Sequence, residues 1–341
     1  MHPVRSFVAV ALLANAVACA PAAAPDTTLH EDPSATAALD SWNAGSAREA
    51  IESFVARVTD PGSPDFVPEE ERIAVFDNDG TLWAEQPLYF QAIFAIDVMM
   101  KQAEADPALA AREPYRTLLA EGLAGVGALD PHELLGPVVA AHGGTTADEF
   151  DAITSDWLAT ARHPTRNRPF TEMTYAPMVE LLEYLRANGF ETWIVSGGGI
   201  AFLRVFSDAA YGIPPQQVVG SQLKTEFELT DDGPEIERIG ELDFVNDGPG
   251  KPVGIATHIG RKPILAFGNS DGDLQMLQYT DDGDRPALAL YLHHDDADRE
   301  WAYDRDSSIG RLDVGLDEAA TRGWIVVSMR DDWKVVFGGE Q

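Results

Sequence analysis

Two aspartates, Asp77 and Asp79, follow directly after an apolar run at residues 73–76. That run can be buried on both faces as a central parallel strand, and Gly80 allows a tight turn where the strand ends. Both carboxylates then lie at the carboxyl edge of a sheet, where open α/β folds bind ligands. Because residues two apart on an extended segment point the same way, one metal ion could contact both neighbourhoods. The pattern indicates phosphoryl transfer, with a strand followed by an ordinary Asx turn as the alternative.

Three later segments place polar residues at strand or helix ends. Ser196 follows an apolar strand pattern, and the glycines from Gly197 onward expose backbone N–H groups ahead of a helix, which can cradle a phosphate. Lys251 opens a helix, where its charge opposes the helix dipole. The apolar run at 264–267 leads into residues 268–273, which are rich in the hard oxygen ligands that magnesium prefers. Each segment alone is also typical of a common turn or a solvated loop.

The elements that must position these residues alternate along the chain. Strict β/α alternation after residue 176 predicts right-handed crossovers and a doubly wound parallel sheet of the α/β class. Residues 47–58 have helical spacing with Ser46 as the expected N-cap, and residues 225–246 indicate a β-hairpin or an elaborated loop. The tail from 288 to 336 contains two or three further strand candidates. The other predicted helices cover 176–188, 200–208, 252–259 and 273–277, and the other predicted strands cover 191–195, 217–223 and 263–267.

A long helical segment separates the first strand from the rest of this alternation. From residue 86 to about 170 the sequence looks helical and amphipathic, with Phe90, Ile93 and Phe94 on one apolar face. We therefore expect an inserted all-helical cap domain over residues 85–170. The catalytic core would comprise residues 42–84 and 171–341.

The first nineteen residues have the features of an export signal. Arg5 gives a positive start, residues 7–14 are apolar but too short to span a bilayer, and small residues precede Cys19. Cys19, the only cysteine in the chain, resembles the lipidated cysteine of bacterial lipoproteins. An ordinary secretory signal with an incidental cysteine is the alternative. We expect an exported protein, lipid-anchored to the cell envelope, with a flexible tether over residues 20–41.

The chain is strongly acidic, with 56 Asp and Glu residues against 24 Lys and Arg and a formal net charge of -32. This charge makes nucleic acid an unsuitable partner, and there is no basic stripe with interleaved aromatic residues. The same field disfavours highly charged anions and favours zwitterionic or cationic phosphate esters. Adaptation to high salt or to solubility explains the charge equally well. No later segment is apolar enough to cross a membrane, so we expect membrane contact only through the lipid anchor. The expected partner is a small-molecule phosphate ester.

Taken in order, the four segments resemble the haloacid dehalogenase superfamily, particularly its phosphoserine-phosphatase-like members, over most of residues 70–280. The resemblance implies a Rossmann-like core with a helical cap between the first and second motifs. It implies that Asp77 is the nucleophile and that Asp79 is the general acid and base. It further implies that Lys251 joins nucleophile and phosphate, while Ser196 and the Gly197 N–H bind phosphoryl oxygens.

The resemblance also implies a Mg²⁺ ion held by Asp77 and by the backbone carbonyl of Asp79. The last motif of the family often begins with Gly-Asp, whereas Asn269 occupies the aspartate position here. Asn269 can offer an amide oxygen but brings no charge to the metal. Asp273 would then ligate directly or through water, with Asp271 as the less favoured candidate.

Substrate choice is expected to depend on residues after the first motif. Phosphoserine phosphatases hold an amino group with a glutamate near this position, so Glu85 suggests an amine-bearing ester. A glutamate at the pocket rim or near a helix N-terminus is the alternative. Gln86 and Tyr89 are close enough to face the pocket, and Trp83 could form a flat wall.

Other chemistries of the superfamily stay open to different degrees. Dehalogenases lack the second aspartate, so Asp79 argues against that activity. A phosphonatase needs a lysine from the cap, where only Lys101 is available, and a phosphomutase shares the aspartate pair. A non-catalytic, ligand-binding lipoprotein on the same scaffold is a further alternative. The residues favour a magnesium-dependent phosphomonoesterase that acts on a small phosphate ester.

Overall fold

The computed structural model describes residues 38–129, 136 and 138–339 of the chain. The predicted signal with Cys19, and most of the tether, lie outside these residues. The core begins earlier than predicted, because Leu39 is fully buried and the backbone N–H of Ser41 donates to Glu180 Oε2 at 2.8 Å. Within the described residues, no helix has the length and apolar character needed to cross a bilayer.

The described residues form an α/β fold around one nine-stranded sheet. The strands are β1 (Ile73–Phe76), β2 (Thr145–Thr146), β3 (Glu191–Gly199), β4 (Val218–Thr230), β5 (Gly233–Phe244), β6 (Leu265–Gly268), β7 (Leu288–Asp295), β8 (Ala302–Tyr303) and β9 (Ile325–Ser328). The described α-helices are Ser46–Thr59, Phe90–Ala105, Pro107–Ala110, Tyr115–Glu121, Ala147–Thr160, Ala176–Ala187, Ile200–Arg204, Ser207–Tyr211, Gly250–His258, Leu274–Thr280, Val314–Arg322 and Met329–Asp332.

The sheet order confirms the predicted doubly wound architecture. Neighbouring strands follow the order β2-β5-β4-β3-β1-β6-β7-β8, and β9 pairs with β7. The pairs β4–β3, β3–β1, β1–β6, β6–β7 and β7–β9 are all parallel. Because β1 lies between β3 and β6, the carboxyl ends of three strands that carry candidate site residues meet at one edge.

Strand β1 is buried on both faces, as its apolar sequence predicts. Ala74 and Phe76 belong to the larger hydrophobic cluster on one side of the sheet, whereas Ile73 and Val75 belong to the cluster on the other side. This division follows from the two-residue period of a strand, which points successive side chains to opposite faces. Helices cover both faces, and the central strand is thereby excluded from water.

Among the described residues, the regular elements between β1 and β3 are helices, apart from the two-residue strand β2. These helices bury a small core of their own that includes Ala95, Met99 and Leu118. Thr145 and Thr146 form β2, which pairs antiparallel with β5. This contact joins the insertion to the β4–β5 hairpin, so two elements far apart in sequence meet above the strand edge.

Several predicted boundaries need correction. The first helix begins at Ser46, and the N-cap position is Gly45, which has no side-chain hydrogen bond. The single helix predicted over 200–208 is two short helices. The hairpin expected at 225–246 is present, with β4 extending to Thr230, and the tail contains three strands, β7 to β9.

The helix Ala147–Thr160 is fixed by a reciprocal cap. Thr146 Oγ1 accepts from the Glu149 N–H at 3.2 Å, and Glu149 Oε2 accepts from the Thr146 N–H at 3.0 Å. We expect Thr146→Ala to lower the free energy of unfolding by about 1 kcal/mol, because it removes one of these bonds. Urea denaturation followed by circular dichroism measures this. Thr146→Ser is the matched control and should keep most of the stability; equal losses in both variants would contradict the capping role.

Candidate active site

The carboxyl ends of β1, β3 and β6 bring the predicted residues together. Asp77, Asp79, Ser196 and Lys251 all border one cavity of about 420 Å³, although they come from positions up to 174 residues apart. Asp77 and Asp79 follow β1, Ser196 lies in β3, and Lys251 lies in the first turn of the helix Gly250–His258. The strand order therefore accounts for their convergence, since each residue belongs to an element at the same edge.

Lys251 is the centre of this arrangement. Its ammonium group donates to Asp77 Oδ1 at 2.5 Å, to Asp273 Oδ1 at 2.6 Å and to the Val195 carbonyl oxygen at 2.9 Å. An ammonium group has three N–H donors, so all of them are used. Lys251 is only 1% exposed, and its charge is therefore balanced within the protein.

The charged groups around Lys251 shift one another's pKa values. Burial raises the pKa of Asp77 well above its usual value; Lys251 opposes this rise, whereas Asp273 and Asp79 add to it. Burial lowers the pKa of Lys251, but Asp273 and Asp77 outweigh that effect and leave the pKa above its usual value. The lysine is thus held as a cation in a site where negative charge is in excess.

Asp79 is oriented by an aromatic cluster. Trp83 Nε1 donates to Asp79 Oδ1 at 2.8 Å, and the Trp83 ring stacks on Phe206 with centroids 4.4 Å apart. Burial raises the pKa of Asp79, and the hydrogen bond from Trp83 opposes this rise. The expectation that Trp83 forms a pocket wall is wrong, because Trp83 is completely buried and instead fixes a carboxylate that borders the cavity.

Asp273 lies behind the cavity. Its Oδ1 accepts from Lys251, and its Oδ2 accepts from the backbone N–H groups of Asn269 at 2.9 Å and Ser270 at 3.0 Å. Both carboxylate oxygens are therefore engaged, which suits a role in ordering the loop and holding the lysine. Asp271 is directed elsewhere, since its Oδ1 accepts from the backbone N–H of Asp313 at 3.0 Å.

Asn269 and Glu85 form a buried pair. Thr81 Oγ1 donates to Asn269 Oδ1 at 3.1 Å, and Asn269 Nδ2 donates to Glu85 Oε1 at 2.7 Å. Glu85 Oε1 also accepts from the Tyr303 hydroxyl at 2.8 Å. Glu85 is 1% exposed, and burial raises its pKa well above the usual value. Glu85 borders the cavity, but its engaged oxygen gives the predicted contact with a substrate amine little support.

The backbone around this pair leaves no room for larger residues. A Cβ atom at Gly310, where φ is +64°, would lie 1.8 Å from Glu85 Oε1. A Cβ atom at Gly80 would lie 2.1 Å from Asn269 Nδ2. The two glycines therefore permit the Glu85 and Asn269 side chains to reach each other beneath the turn after β1. Of the other residues expected near the pocket, Tyr89 borders the cavity, whereas Gln86 donates to the Ile309 carbonyl oxygen.

The glycine run after Ser196 continues the strand instead of turning. Strand β3 extends to Gly199, four residues beyond its predicted end, because Gly199 pairs with Ser221 of β4. The Gly198 N–H donates to Ser196 Oγ at 3.0 Å, and the Gly199 N–H donates to Gln91 Oε1 at 2.7 Å. Ser196 and Gly197 both border the cavity, as the sequence predicts.

A series of polar contacts that no sequence pattern indicates connects the end of β3 to the insertion. His142 Nδ1 lies 2.8 Å from the Val138 carbonyl oxygen and must donate to it, so His142 Nε2 accepts from Gln91 Nε2 at 3.0 Å. Burial lowers the pKa of His142, in keeping with a neutral ring. Arg238 Nε, from β5, donates to the His142 carbonyl oxygen at 3.1 Å. Gln91, His142 and Arg238 all border the cavity.

A second missed network supports the turn after β1. His294 Nε2 lies 2.8 Å from the Gly80 carbonyl oxygen, and His294 Nδ1 lies 3.2 Å from Glu300 Oε2. Glu300 Oε1 accepts from the Tyr175 hydroxyl at 2.9 Å. These residues lie far from the first motif in sequence, and only the pairing of β7 beside β6 brings them to it.

The donor set at the strand edge fits the magnesium ion that the resemblance implies. Asp77 and Asp273 contact Lys251, Asp79 and Glu85 add negative charge near Asp77, and a divalent cation would reduce this excess. Within the described residues, no three His, Cys, Asp or Glu side chains converge into a metal cluster. The ligand set that the resemblance implies is a mixed one, with the Asp77 carboxylate, the Asp79 carbonyl and the Asn269 amide oxygen.

Comparison with known proteins gives the family. The model for haloacid dehalogenase-like hydrolases matches residues 74–278, from β1 to the helix Leu274–Thr280. The chain belongs to this family. The matched residues of this hydrolase include every side chain placed above at the strand edge, from Asp77 to Asp273. The coarse prediction of a hydrolase of this superfamily is confirmed.

A solved structure with a TM-score above 0.5 supports the fold of this family member, and two others are similar to it at lower scores. A conserved functionally unknown protein from Anaerococcus prevotii is 17% identical with a TM-score of 0.53, and the match covers 82% of this chain and 91% of that one. A protein with unknown function from Bordetella pertussis is 18% identical, with a TM-score of 0.45 and coverage of 75% and 98%. A phosphoserine phosphohydrolase-like protein from Francisella tularensis is 19% identical, with a TM-score of 0.35 and coverage of 66% and 88%. No curated protein matches the chain.

The Asn269–Glu85 pair generates a test. Asn269→Asp replaces a donor 2.7 Å from Glu85 Oε1 by a second carboxylate, so we expect the free energy of unfolding to fall by about 1–3 kcal/mol at pH 8. The loss should shrink at pH 5, where the two carboxylates can share a proton. Thermal unfolding with a chelator present measures both values.

The double variant Asn269→Asp with Glu85→Gln provides the control. The glutamine amide can donate to the introduced aspartate, so most of the stability should return. A loss that is the same with and without Glu85 would refute the proposed repulsion.

Proposed function

We propose that the protein hydrolyses phosphate monoesters through a phosphorylated Asp77. The observation that carries this proposal is the 2.5 Å contact between Lys251 Nζ and Asp77 Oδ1, in a cavity that Asp79 and Ser196 also border. The site combines the Asp77 carboxylate as nucleophile, a fixed cation beside it, and a second carboxylate, Asp79, with a raised pKa. Membership of the hydrolase family supports the same conclusion.

The first step forms the intermediate. A carboxylate oxygen of Asp77 attacks phosphorus in line, and the bond from phosphorus to the ester oxygen breaks. Asp79 gives its proton to that oxygen, so a neutral alcohol leaves. The raised pKa of Asp79 favours the protonated form that this step needs. The contact with Trp83 Nε1 keeps Asp79 Oδ1 in place throughout.

The second step releases phosphate. Water attacks the phosphorus of the aspartyl-phosphate, Asp79 accepts a proton from that water, and the bond from phosphorus to Asp77 breaks. Inorganic phosphate leaves, and Asp77 is regenerated. The same carboxylate thus serves as acid and then as base, and the two halves of the reaction restore its starting state.

Charge that develops on the phosphoryl oxygens is met by groups already in position. Lys251 is held by three acceptors, so it need not reorganise during the reaction, and Ser196 and the Gly197 N–H lie at the same cavity. When bound, Mg²⁺ would be held by Asp77, the Asp79 carbonyl and Asn269 and would neutralise phosphoryl charge.

The location of the protein is part of the proposal. Residues 1–19 have the composition of an export signal, and Cys19 has the position of a lipidated cysteine. We therefore place the enzyme outside the cytoplasm with a lipid anchor, where it would meet small exported phosphate esters.

Two alternatives within the superfamily make different predictions. A phosphonatase needs a cap lysine at the reacting centre, but Lys101 is exposed and does not border the cavity. A phosphomutase would use the same aspartates and return an isomeric ester in place of inorganic phosphate. A ligand-binding lipoprotein would bind esters without turnover. Product analysis therefore separates all three from a phosphatase.

A phosphate-release screen over small esters, with and without a chelator, tests the function. Asp77→Asn removes the nucleophile, so we expect kcat to fall on the order of 10⁴-fold or more. Asp232→Asn, in the hairpin turn, is a matched control that should retain activity. Mass spectrometry or a beryllium fluoride complex should place the adduct on Asp77; an adduct on another residue, or none during turnover, would refute the proposed mechanism.

The pH profile tests the role of Asp79. Its hydrogen bond from Trp83 favours the ionised form, so Trp83→Phe should raise the pKa of Asp79 further. Because the first step needs protonated Asp79, the alkaline limb of kcat/KM should move to higher pH. Trp324→Phe breaks a similar bond, to Asp281, away from the cavity and should leave the limb unchanged. A shift to lower pH would contradict the assignment of Asp79 as the acid.

A further inference from the structure

Two cationic side chains border the cavity, and they differ in their partners. Lys251 uses its donors on two carboxylates and a carbonyl oxygen. Arg238 is 9% exposed, and its only hydrogen bond to the described residues is from Nε to the His142 carbonyl oxygen at 3.1 Å. No carboxylate of the described residues lies within 4.0 Å of its guanidinium group. The remaining N–H groups of the planar fork are therefore available to the cavity that the side chain borders.

Several other described arginines have either a carboxylate partner or more than one carbonyl partner. Arg299, Arg305 and Arg322 each form an ion pair with an aspartate or glutamate. Arg72, which is also buried, donates from Nε and Nη1 to two backbone carbonyl oxygens. Asp151 attracts Arg238 electrostatically but forms no ion pair with it. A buried cation that no carboxylate contacts is costly, and it is the kind of group that an incoming anion stabilises.

The position of Arg238 is fixed relative to the end of β3, which carries Ser196. Its guanidinium lies over the Phe150 ring, with Cζ 4.0 Å from the ring centroid, and this contact covers one face. Arg238 also donates to the carbonyl oxygen of His142. The His142 ring accepts from Gln91 Nε2, and Gln91 Oε1 accepts from the Gly199 N–H. A short series of contacts thus links Arg238 to the phosphoryl end of the cavity without filling the space between.

We infer that Arg238 recognises an anionic group, a carboxylate or a second phosphate, on the alcohol portion of the substrate. This inference rests on the proposed phosphatase function and names the class of ester on which it acts. The phosphoryl group lies beside Lys251 and Ser196, and the second anion accepts hydrogen bonds from the guanidinium fork. Leu223, Leu242 and Val139 line the cavity, so a small carbon frame suits the space between the two charges.

The net charge of -32 does not oppose this assignment. Exposed charges farther away than about 10 Å are screened at 0.1 M salt. Arg238 acts at contact distance and in a partly desolvated cavity, where a charge-assisted hydrogen bond is strong. The acidic surface would slow the arrival of a doubly anionic ester more than it would weaken the bound state.

Matched esters with and without the second anion test the inference. The pairs are 3-phosphoglycerate with glycerol 3-phosphate, and glucose 1,6-bisphosphate with glucose 6-phosphate; they separate recognition of a carboxylate from recognition of a phosphate. For the preferred pair, Arg238→Met should lower kcat/KM of the doubly anionic ester by about 10- to 100-fold. The ester without the second anion should change less than about threefold, so the ratio should collapse.

Two further variants separate recognition from folding. Arg238→Lys keeps the charge but loses the fork, so the ratio should fall partway, and this variant serves if Arg238→Met does not fold. Arg204→Met removes one positive charge from an exposed arginine that does not border the cavity and should leave the ratio unchanged. Equal losses for both members of a pair, or no preference in the wild type, would overturn the inference and leave a structural role.

The outcome for Arg238 is distinguishable from that for the proposed function. Hydrolysis of the esters with a ratio that Arg238→Met does not alter would refute only this inference. If no ester is hydrolysed, the phosphatase proposal fails, and calorimetric binding of the same pairs to wild type and Arg238→Met still decides the role of Arg238. Tighter binding of the doubly anionic member, lost in the variant, supports it; equal binding refutes it.

Discussion

The contact of Lys251 with Asp77, Asp273 and the Val195 carbonyl is the constraint on which the rest of the site depends. It joins the ends of β1 and β3, the loop after β6 and a helix N-terminus through one ammonium group. Removing a single partner would leave an uncompensated buried charge, which typically costs about 3–5 kcal/mol. The stability of the fold therefore depends on the relative positions of these elements. The same arrangement that gives Lys251 its three partners also places Asp77 at the cavity.

Two supporting side chains likewise combine a structural role with a role at the cavity. Asp273 holds Lys251 with one oxygen and orders the backbone of Asn269 and Ser270 with the other. Trp83 is part of the aromatic core and yet determines which oxygen of Asp79 is free. In both cases a fully buried group restricts one that borders the cavity. Packing and chemistry are thus coupled, so that a core substitution near Trp83 would alter ionisation at the cavity as well as stability.

The sequence predicted the strand-edge end of the cavity far better than the end bordered by Arg238. Residues 73–76 are uniformly apolar and are followed by aspartates, so neither the strand nor its end is ambiguous. The extension of β3 to Gly199 depends on pairing with Ser221, and the orientation of Trp83 depends on Phe206; both are tertiary contacts that local pattern does not encode. Arg238 meets His142 only because β2 pairs with β5, across about ninety residues of chain.

The pairing of β2 with β5 places Arg238 on an element separate from the strand edge that carries Asp77. The strand edge is fixed by parallel pairs and by a buried lysine, and it has little freedom to change without loss of stability. The hairpin of β4 and β5 is antiparallel, largely exposed beyond Leu223, and contributes Arg238 to the cavity from outside the parallel sheet. Under the proposal for Arg238, substitutions on the hairpin would alter the group recognised at the far end of an ester while Asp77 and Lys251 keep their geometry. The topology thus separates a rigid edge of parallel strands from a β4–β5 hairpin that can vary.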